Sequence, residues 1–257
     1  MIKVTPLFSG SKGNSTLIRT DTVNILLDVG YGYKKMLESL SALNVSPESV
    51  NAVVITHEHT DHISSLQYWS KYFHTAVYAP RQICGLISAR AFASEVIPVE
   101  GSFEIGDVIV DTYCCSHDAQ CCLGYRFKTR DDCFASVTDT GCWSQALVDF
   151  LSPCRVIQLE SNHDVDMLKK GSYSFPLKRR ILSDFGHLSN AQTAQILERL
   201  IGTNVKKVIL AHLSENNNSS ELAFSAVLDM YASRGVVEGR DVDIFVAAQC
   251  GSGETIE

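Results

Sequence analysis

The stretch VVITHEHTDH, residues 53–62, places His57, His59, Asp61 and His62 within six positions, directly after an apolar run. Imidazoles and a carboxylate at that density suit zinc, manganese or iron better than copper(I) or an iron–sulfur cluster. From an extended turn His57 and His59 can point the same way, while Asp61 and His62 step round toward a second ion. Three other polar landmarks, VTDTG, LESNHD and LAHLS, also follow apolar runs directly. Ligands in α/β folds gather at the carboxyl ends of strands, so all four segments are expected along one edge. A further histidine, His187, sits in ILSDFGHLSN on a polar turn that opens a helical pattern.

These segments need strands to carry them. Runs of β-branched residues closed by turn chemistry predict strands at IKVTPLF, STLIRT, VNILLDV, VNAVVIT, DVIVDTYCC, CLGYRFK, CFASVTD, RVIQLE, KKVILAH and VDIFVAA. Apolar residues recurring at three and four predict helices at YKKMLESLSAL, ISSLQYWSKYF, RQICGLISARAF, the stretch after Trp143, NAQTAQILERLIG and SELAFSAVLDMYASRG. No low-complexity linker or repeat divides the 257 residues, so one domain over 1–257 is expected. Ten strands sharing one chain with helices imply two packed sheets covered by helices.

Composition narrows the function classes. With 45% apolar and 20% charged residues the chain has ordinary globular proportions. The opening MIKVTPLF reads as a strand rather than a signal peptide, and no apolar run is long enough to span a bilayer, so the expected location is the cytoplasm, away from membranes. A net charge of -7 argues against non-specific coating of nucleic acid. It leaves room for a local basic run, KKGSYSFPLKRR, whose Lys178, Arg179 and Arg180 are candidates for phosphate-backbone contact. The nine cysteines show no CxxC spacing. Adjacent pairs such as Cys114-Cys115 and Cys121-Cys122 point to opposite faces of a strand, so reduced thiols packed as small hydrophobes, Cys84, Cys133 and Cys250 among them, are expected rather than zinc ligands. The loop SGSKGNS reads as a strand-connecting turn, with phosphate binding as the alternative. His74, closing an apolar helix beside Tyr72 and Phe73, reads as structural.

THEHTDH resembles the signature of the metallo-β-lactamase superfamily, and the resemblance extends over essentially the whole chain. It implies a four-layer αβ/βα sandwich. It also implies two divalent metal ions, zinc or manganese, held by His57, His59 and His117 on one side and by Asp61, His62 and His212 on the other, with Asp139 bridging. Asp28 of NILLDVG matches an aspartate that orients the metal loop by hydrogen bonding. His163 is a candidate for a similar supporting contact or for touching substrate.

The surrounding text separates branches that share these ligands, thioesterases included. HDAQCCLGYRF is similar to the phosphodiesterase branch. LESNHD and GHLSNAQTAQIL resemble segments of transfer-RNA 3′-processing endonucleases, which implies that Glu160 and His187 supply the leaving-group proton, with Asp61 among the catalytic residues. FSGSKGNSTLI, ESNHDVDML and LKRRILSDFGHLSN together resemble the bacterial YycJ (WalJ) group of exonucleases, which degrade double-stranded DNA from 5′ ends. The resemblance therefore implies a phosphodiesterase in which a metal-bridging hydroxide attacks duplex DNA, with a cyclic phosphodiesterase or an RNA-processing nuclease as the alternative.

Overall fold

The structure, a computed structural model, describes residues 1–92, 94–251 and 253–257. Its first sheet holds six strands in chain order: β1 (Lys3–Phe8), β2 (Ser15–Arg19), β3 (Asn24–Leu27), β4 (Ala52–Val54), β5 (Ala76–Pro80) and β6 (Val96–Val99). The second holds seven: β7 (Phe103–Ile105), β8 (Val108–Cys114), β9 (Leu123–Lys128), β10 (Cys133–Val137), β11 (Val156–Glu160), β12 (Lys207–Ala211) and β13 (Asp243–Val246). Both are mixed: β3 to β6 run parallel, as do β10 to β13, while the hairpin strands pair antiparallel.

Side-chain alternation assigns each strand's two faces. Ile25, Leu27, Ala52 and Val54 of the first sheet pack against Val110, Tyr125, Phe127, Phe134, Val156 and Ile209 of the second, forming the central core. The intervening Leu26 and Val53 face outward onto α1 (Tyr33–Ala42), α3 (Leu66–Phe73) and α4 (Cys84–Ser88) through Met36, Leu40, Leu66, Trp69 and Ile87. On the far side, Ile157, Leu159, Val208 and Leu210 meet α5 (Gln145–Leu151), α8 (Asn190–Arg199) and α9 (Ser220–Ser233). Strands covered on both faces are buried along their length, which is why β4 and β12 read as hydrophobic runs, while β11 interrupts its run with Gln158, hydrogen-bonded to Thr16 and Ser136. The result is helices, sheet, sheet, helices: the αβ/βα sandwich the sequence implies. Among the described residues no helix is long and apolar enough to cross a membrane.

Several elements differ from the sequence reading. The strands β5, β6 and β7 were not foreseen. β6 and β7 are sheet edges, where one backbone rim is unpaired, short apolar runs suffice and Pro98 is tolerated. The helix expected over ISSLQYWSKYF splits into α2 (Thr60–Ile63) and α3, because Ser64 and Ser65 turn their hydroxyls onto the carbonyls of Gly30 and Tyr31. RQICGLISARAF yields only a 3₁₀ turn at Arg81–Ile83 and the short α4. Two short helices, α6 (Val165–Lys170) and α7 (Phe175–Ile181), also went unforeseen in the basic run. His74 ends α3 with φ 52°, a left-handed cap, in keeping with a structural reading.

Gly30 marks the closest approach in this half of the molecule. A Cβ there would lie 1.7 Å from the carbonyl oxygen of Asp61. Gly30→Ala is therefore expected to displace the loop that carries Asp61 and cost about 1–3 kcal/mol of stability, as overpacking does, seen as a lower thermal midpoint by circular dichroism.

Candidate metal centre

Five parallel strand ends deliver the polar residues to one edge. Asp28 follows β3, Thr56 to His62 follow β4, Asp139 follows β10, Glu160 ends β11 and His212 follows β12. Asp28, Asp139 and His212 share a left-handed backbone, at φ 59°, 58° and 58°. Such a conformation is uncommon outside glycine and persists where surrounding contacts over-determine it. Here it turns each side chain off its strand and into the site.

Among the described residues the candidate ligand atoms form four groups, two of which, His57 with His62 and Asp139, and Asp139 with Glu160, His187 and His212, share members with the others or with each other. Those of His57, His59 and His117 lie within 4.8 Å of one another, as do those of Asp61, His62 and His212. Asp139 reaches both, with its carboxylate oxygens 3.5 Å from His62 Nε2, 3.5 Å from His212 Nε2 and 3.8 Å from His117 Nε2. His57 Nε2, His212 Nε2 and Asp139 Oδ2 are buried without a protein hydrogen-bond partner. Unpaired buried polar atoms are costly, and three of them turned toward one another's neighbours fit cations as the missing partners. Among the described residues no cysteine joins such a group, although the Cys122 thiol touches His57 Nδ1 at 3.8 Å.

Behind the candidate ligands stands a layer of orienting bonds. Asp28 Oδ2 accepts hydrogen bonds from His62 Nδ1 at 2.7 Å and from the Thr56 hydroxyl at 2.8 Å, while Oδ1 accepts from the Thr56 amide at 2.8 Å. Burial disfavours the charged His62 ring, but the carboxylates of Asp28 and Asp139 prevail and raise its pKa to about 9. His57, buried among other imidazoles, is driven well below the ordinary histidine value by burial first and those neighbours second. At neutral pH the metal-free site thus mixes charged and neutral rings, and bound cations would expel the extra protons.

Glu160 is the centre of the other half. It is fully buried, and its Oε1 accepts from both His187 Nδ1 and His212 Nδ1 at 2.8 Å. Its Oε2 accepts the Thr140 amide at 3.0 Å and the Leu188 amide at 3.1 Å. Burial opposes ionisation, yet His187 and His212 outweigh it and hold the carboxyl well below the usual range. With Nδ1 committed to Glu160, the other edge of the His187 ring faces a cavity of about 260 Å³ that His59, Asp61, His117, Asp139 and His212 also line.

The remaining candidates separate in space. Arg180 lines that cavity and pairs with Asp118. Lys178 instead donates to the carbonyls of Lys169 and Gly171 at 2.8 and 2.7 Å, tying α7 to the end of α6, and Arg179 is exposed away from the cavity lining. So the structure brings one of the three basic candidates to the site. His163 is buried at 1% exposure with neither ring nitrogen bonded, and burial lowers its pKa to about 4. Its backbone carbonyl, not its ring, does the visible work, accepting the Asn190 amide at 2.9 Å.

Sequence reading undervalued the loop SGSKGNS. Asn14 accepts from the Gly10 amide and sends its own amide to the Asp61 carbonyl at 2.8 Å, with Nδ2 3.1 Å from His62 Nε2. Ser9 Oγ accepts the His212 amide at 2.8 Å, and Ser11 lines the cavity. The turn is thus also scaffolding for the ligand loop. Its density of glycine and hydroxyl residues was the available signal. Asn162 and Ser214, further lining residues, lie within LESNHD and LAHLS but were not singled out, and Tyr173 carries no motif that could have flagged it.

Comparison with known proteins adds an independent line. The metallo-beta-lactamase superfamily model matches residues 9–112. Exodeoxyribonuclease WalJ of Streptococcus pneumoniae is 34% identical over 250 residues, covering 95% of this chain and 93% of that protein. Exodeoxyribonuclease YycJ of Bacillus anthracis is 32% identical over 246 residues, covering 93% and 92%. Among solved structures, the metallo-beta-lactamase fold protein YhfI of Bacillus subtilis superposes with a TM-score of 0.76 at 15% identity over 99% of this chain and 98% of its own. The short form of human tRNase Z gives 0.64 at 15% identity, over 83% and 93%.

Proposed function

This chain belongs to the metallo-beta-lactamase superfamily, and from that premise we propose that it is a metal-dependent exodeoxyribonuclease acting on duplex DNA from 5′ ends, with residues 1–257 serving as one hydrolase domain. Two divalent ions, zinc or manganese, fit His57, His59 and His117 together with Asp61, His62 and His212, and Asp139 is placed to serve both. When bound, such ions lower the pKa of water and offset charge growing on the phosphate.

The protein's own residues supply the remainder. In-line cleavage of a 5′ nucleotide leaves a 3′-oxygen that must receive a proton. His187 is held by one nitrogen on Glu160 while its other edge faces the cavity, so it is the donor. The ionised Glu160 offsets the charge of the imidazolium and fixes its orientation. Because the same oxygen also holds His212, Glu160 couples the donor's position to the ligand set. This shared carboxylate is the observation that carries the reading, since a thioester hydrolase with the same ligands has no need of a second histidine aimed at a leaving oxygen. Arg180, at the cavity wall, is suited to a non-bridging phosphate oxygen.

The reading is tested by digesting 5′- and 3′-end-labelled duplex DNA with metal-free protein to which zinc, manganese or magnesium is restored. Mononucleotide release from the 5′ label first, dependent on added metal, is expected. Parallel labelled RNA and a cyclic phosphodiester should be poor substrates, and preference for either would replace the proposal. The buried Asp28 gives a further expectation. Asp28→Asn keeps its shape but loses the charge facing His62, and should weaken metal affinity roughly 10–100-fold in chelator competition.

A further inference from the structure

A second reactive group lies at the opposite end of the strands that carry the site. Cys133 opens β10, and Cys154 stands just ahead of β11, the parallel neighbour. The far ends of these strands lead to Asp139 and Glu160, so at about 3.3 Å per residue the thiols sit roughly 20 Å from the metal-ligand cluster. Their sulfur atoms are in contact at 2.7 Å, and both cysteines are free.

Their surroundings are unequal. Cys154 is fully buried, whereas Cys133 is half-buried and lines a groove of about 480 Å³ on the molecular surface. Lys128, Arg130, Arg155 and Lys206 also line it, against the carboxylates of Asp131 and Asp132. Lys128 pairs with Asp111 and Arg155 with Asp132, while Arg130 and Lys206 are in no ion pair among the described residues. Among the described residues the groove therefore offers two cations outside any ion pair, against one such carboxylate at Asp131, beside the half-buried Cys133. The two sulfurs share a hydrogen bond that either can donate, and the deeper burial of Cys154 favours its neutral thiol, leaving Cys133, with Arg126 nearby, the better placed to ionise. One thiol is thus suited to attack and the other to follow.

We propose that Cys133 and Cys154 form a reversible dithiol–disulfide pair, oxidised by an anionic low-molecular-weight disulfide that docks in this groove. The Cys133 thiolate attacks one sulfur of the small disulfide, whose S–S bond breaks and releases one small thiolate. Cys154 then loses its proton and attacks the Cys133 sulfur, releasing the second. Two protein thiols are oxidised, one small disulfide is reduced to two thiols, and both protons end on those thiols. The product bridge would staple the starts of β10 and β11.

The test uses the full, metal-loaded chain with oxidised glutathione as the probe, followed by non-reducing peptide mapping over time. The Cys133–Cys154 cross-link is expected to accumulate ahead of mixed disulfides at the exposed Cys114 and Cys250, and to disappear with dithiothreitol. Cys154→Ser should stop with one glutathione on Cys133, and Cys133→Ser should give neither product. Cystamine, a cationic disulfide, should react roughly five- to tenfold more slowly, and Arg130→Glu with Lys206→Glu should abolish that gap. Capture at Cys114 and Cys250 while residues 133 and 154 stay reduced would overturn the pair. Equal rates for the two probes with the unaltered protein would overturn the ligand class. The mapping on unaltered protein decides the first point even if a serine variant fails to fold.

Discussion

Replacing His187 with alanine is expected to lower turnover on duplex DNA by about 10²–10⁴, the range a positioned general acid supplies, while metal content stays unchanged. The ring hydrogen-bonds Glu160 at 2.8 Å, packs beside the His117 and His212 rings with centroids 5.1 and 5.3 Å away, and has its nearest Asp139 oxygen 3.9 Å away. Removing it leaves His212 on the same Glu160 oxygen, so the ligand set keeps its support. A leaving-group comparison separates proton donation from a merely structural loss. A p-nitrophenyl phosphodiester departs without needing a proton, so the variant should cleave it at nearly the unaltered rate. An equal loss on both substrates, or full activity on DNA, would remove His187 from the proposed role.

The second large effect is expected at Asp139. Asparagine keeps the side chain's volume and tolerates the left-handed backbone found there at φ 58°. It removes the charge that faces His62, His117 and His212. Asp139→Asn should therefore fold, yet retain at most one ion per chain after dialysis and lose roughly 10³-fold or more in turnover. Its melting temperature should respond much less to added zinc or manganese, because the stabilisation from a ligand follows its affinity for the folded state. Two retained ions with near-normal activity would show that Asp139 does not serve both.

The division between sequence and structure follows from the reach of each signal. The ligand loop was legible because four of its residues fall within six positions, too dense for a surface turn. Mostly apolar runs exposed the buried strands, including all five that lead into the site, although β10 and β11 carry Ser136 and Gln158, which hydrogen-bond each other in the interior. The four-layer sandwich and the expected order of the downstream candidate ligands came from resemblance to a family, not from periodicity. The edge strands β6 and β7 and the short helices α6 and α7 were missed because half-solvated segments need few apolar residues, and β5, interior to its sheet, was missed as well.

What the sequence alone determined is which side chains are available; that His187 stands apart from the proposed ligands was an expectation from family resemblance. Only the tertiary structure decided what holds it. Glu160 and His187 are 27 residues apart, and His212 is 52 from Glu160, yet one carboxylate oxygen receives both rings. The same holds for the basic run: adjacent residues Lys178, Arg179 and Arg180 look equivalent as text. On α7 each points a different way, so Lys178 ties down backbone carbonyls while Arg180 reaches the cavity. Spacing along a chain sets what a segment can become, but direction in space belongs to the packing of segments that are far apart in sequence.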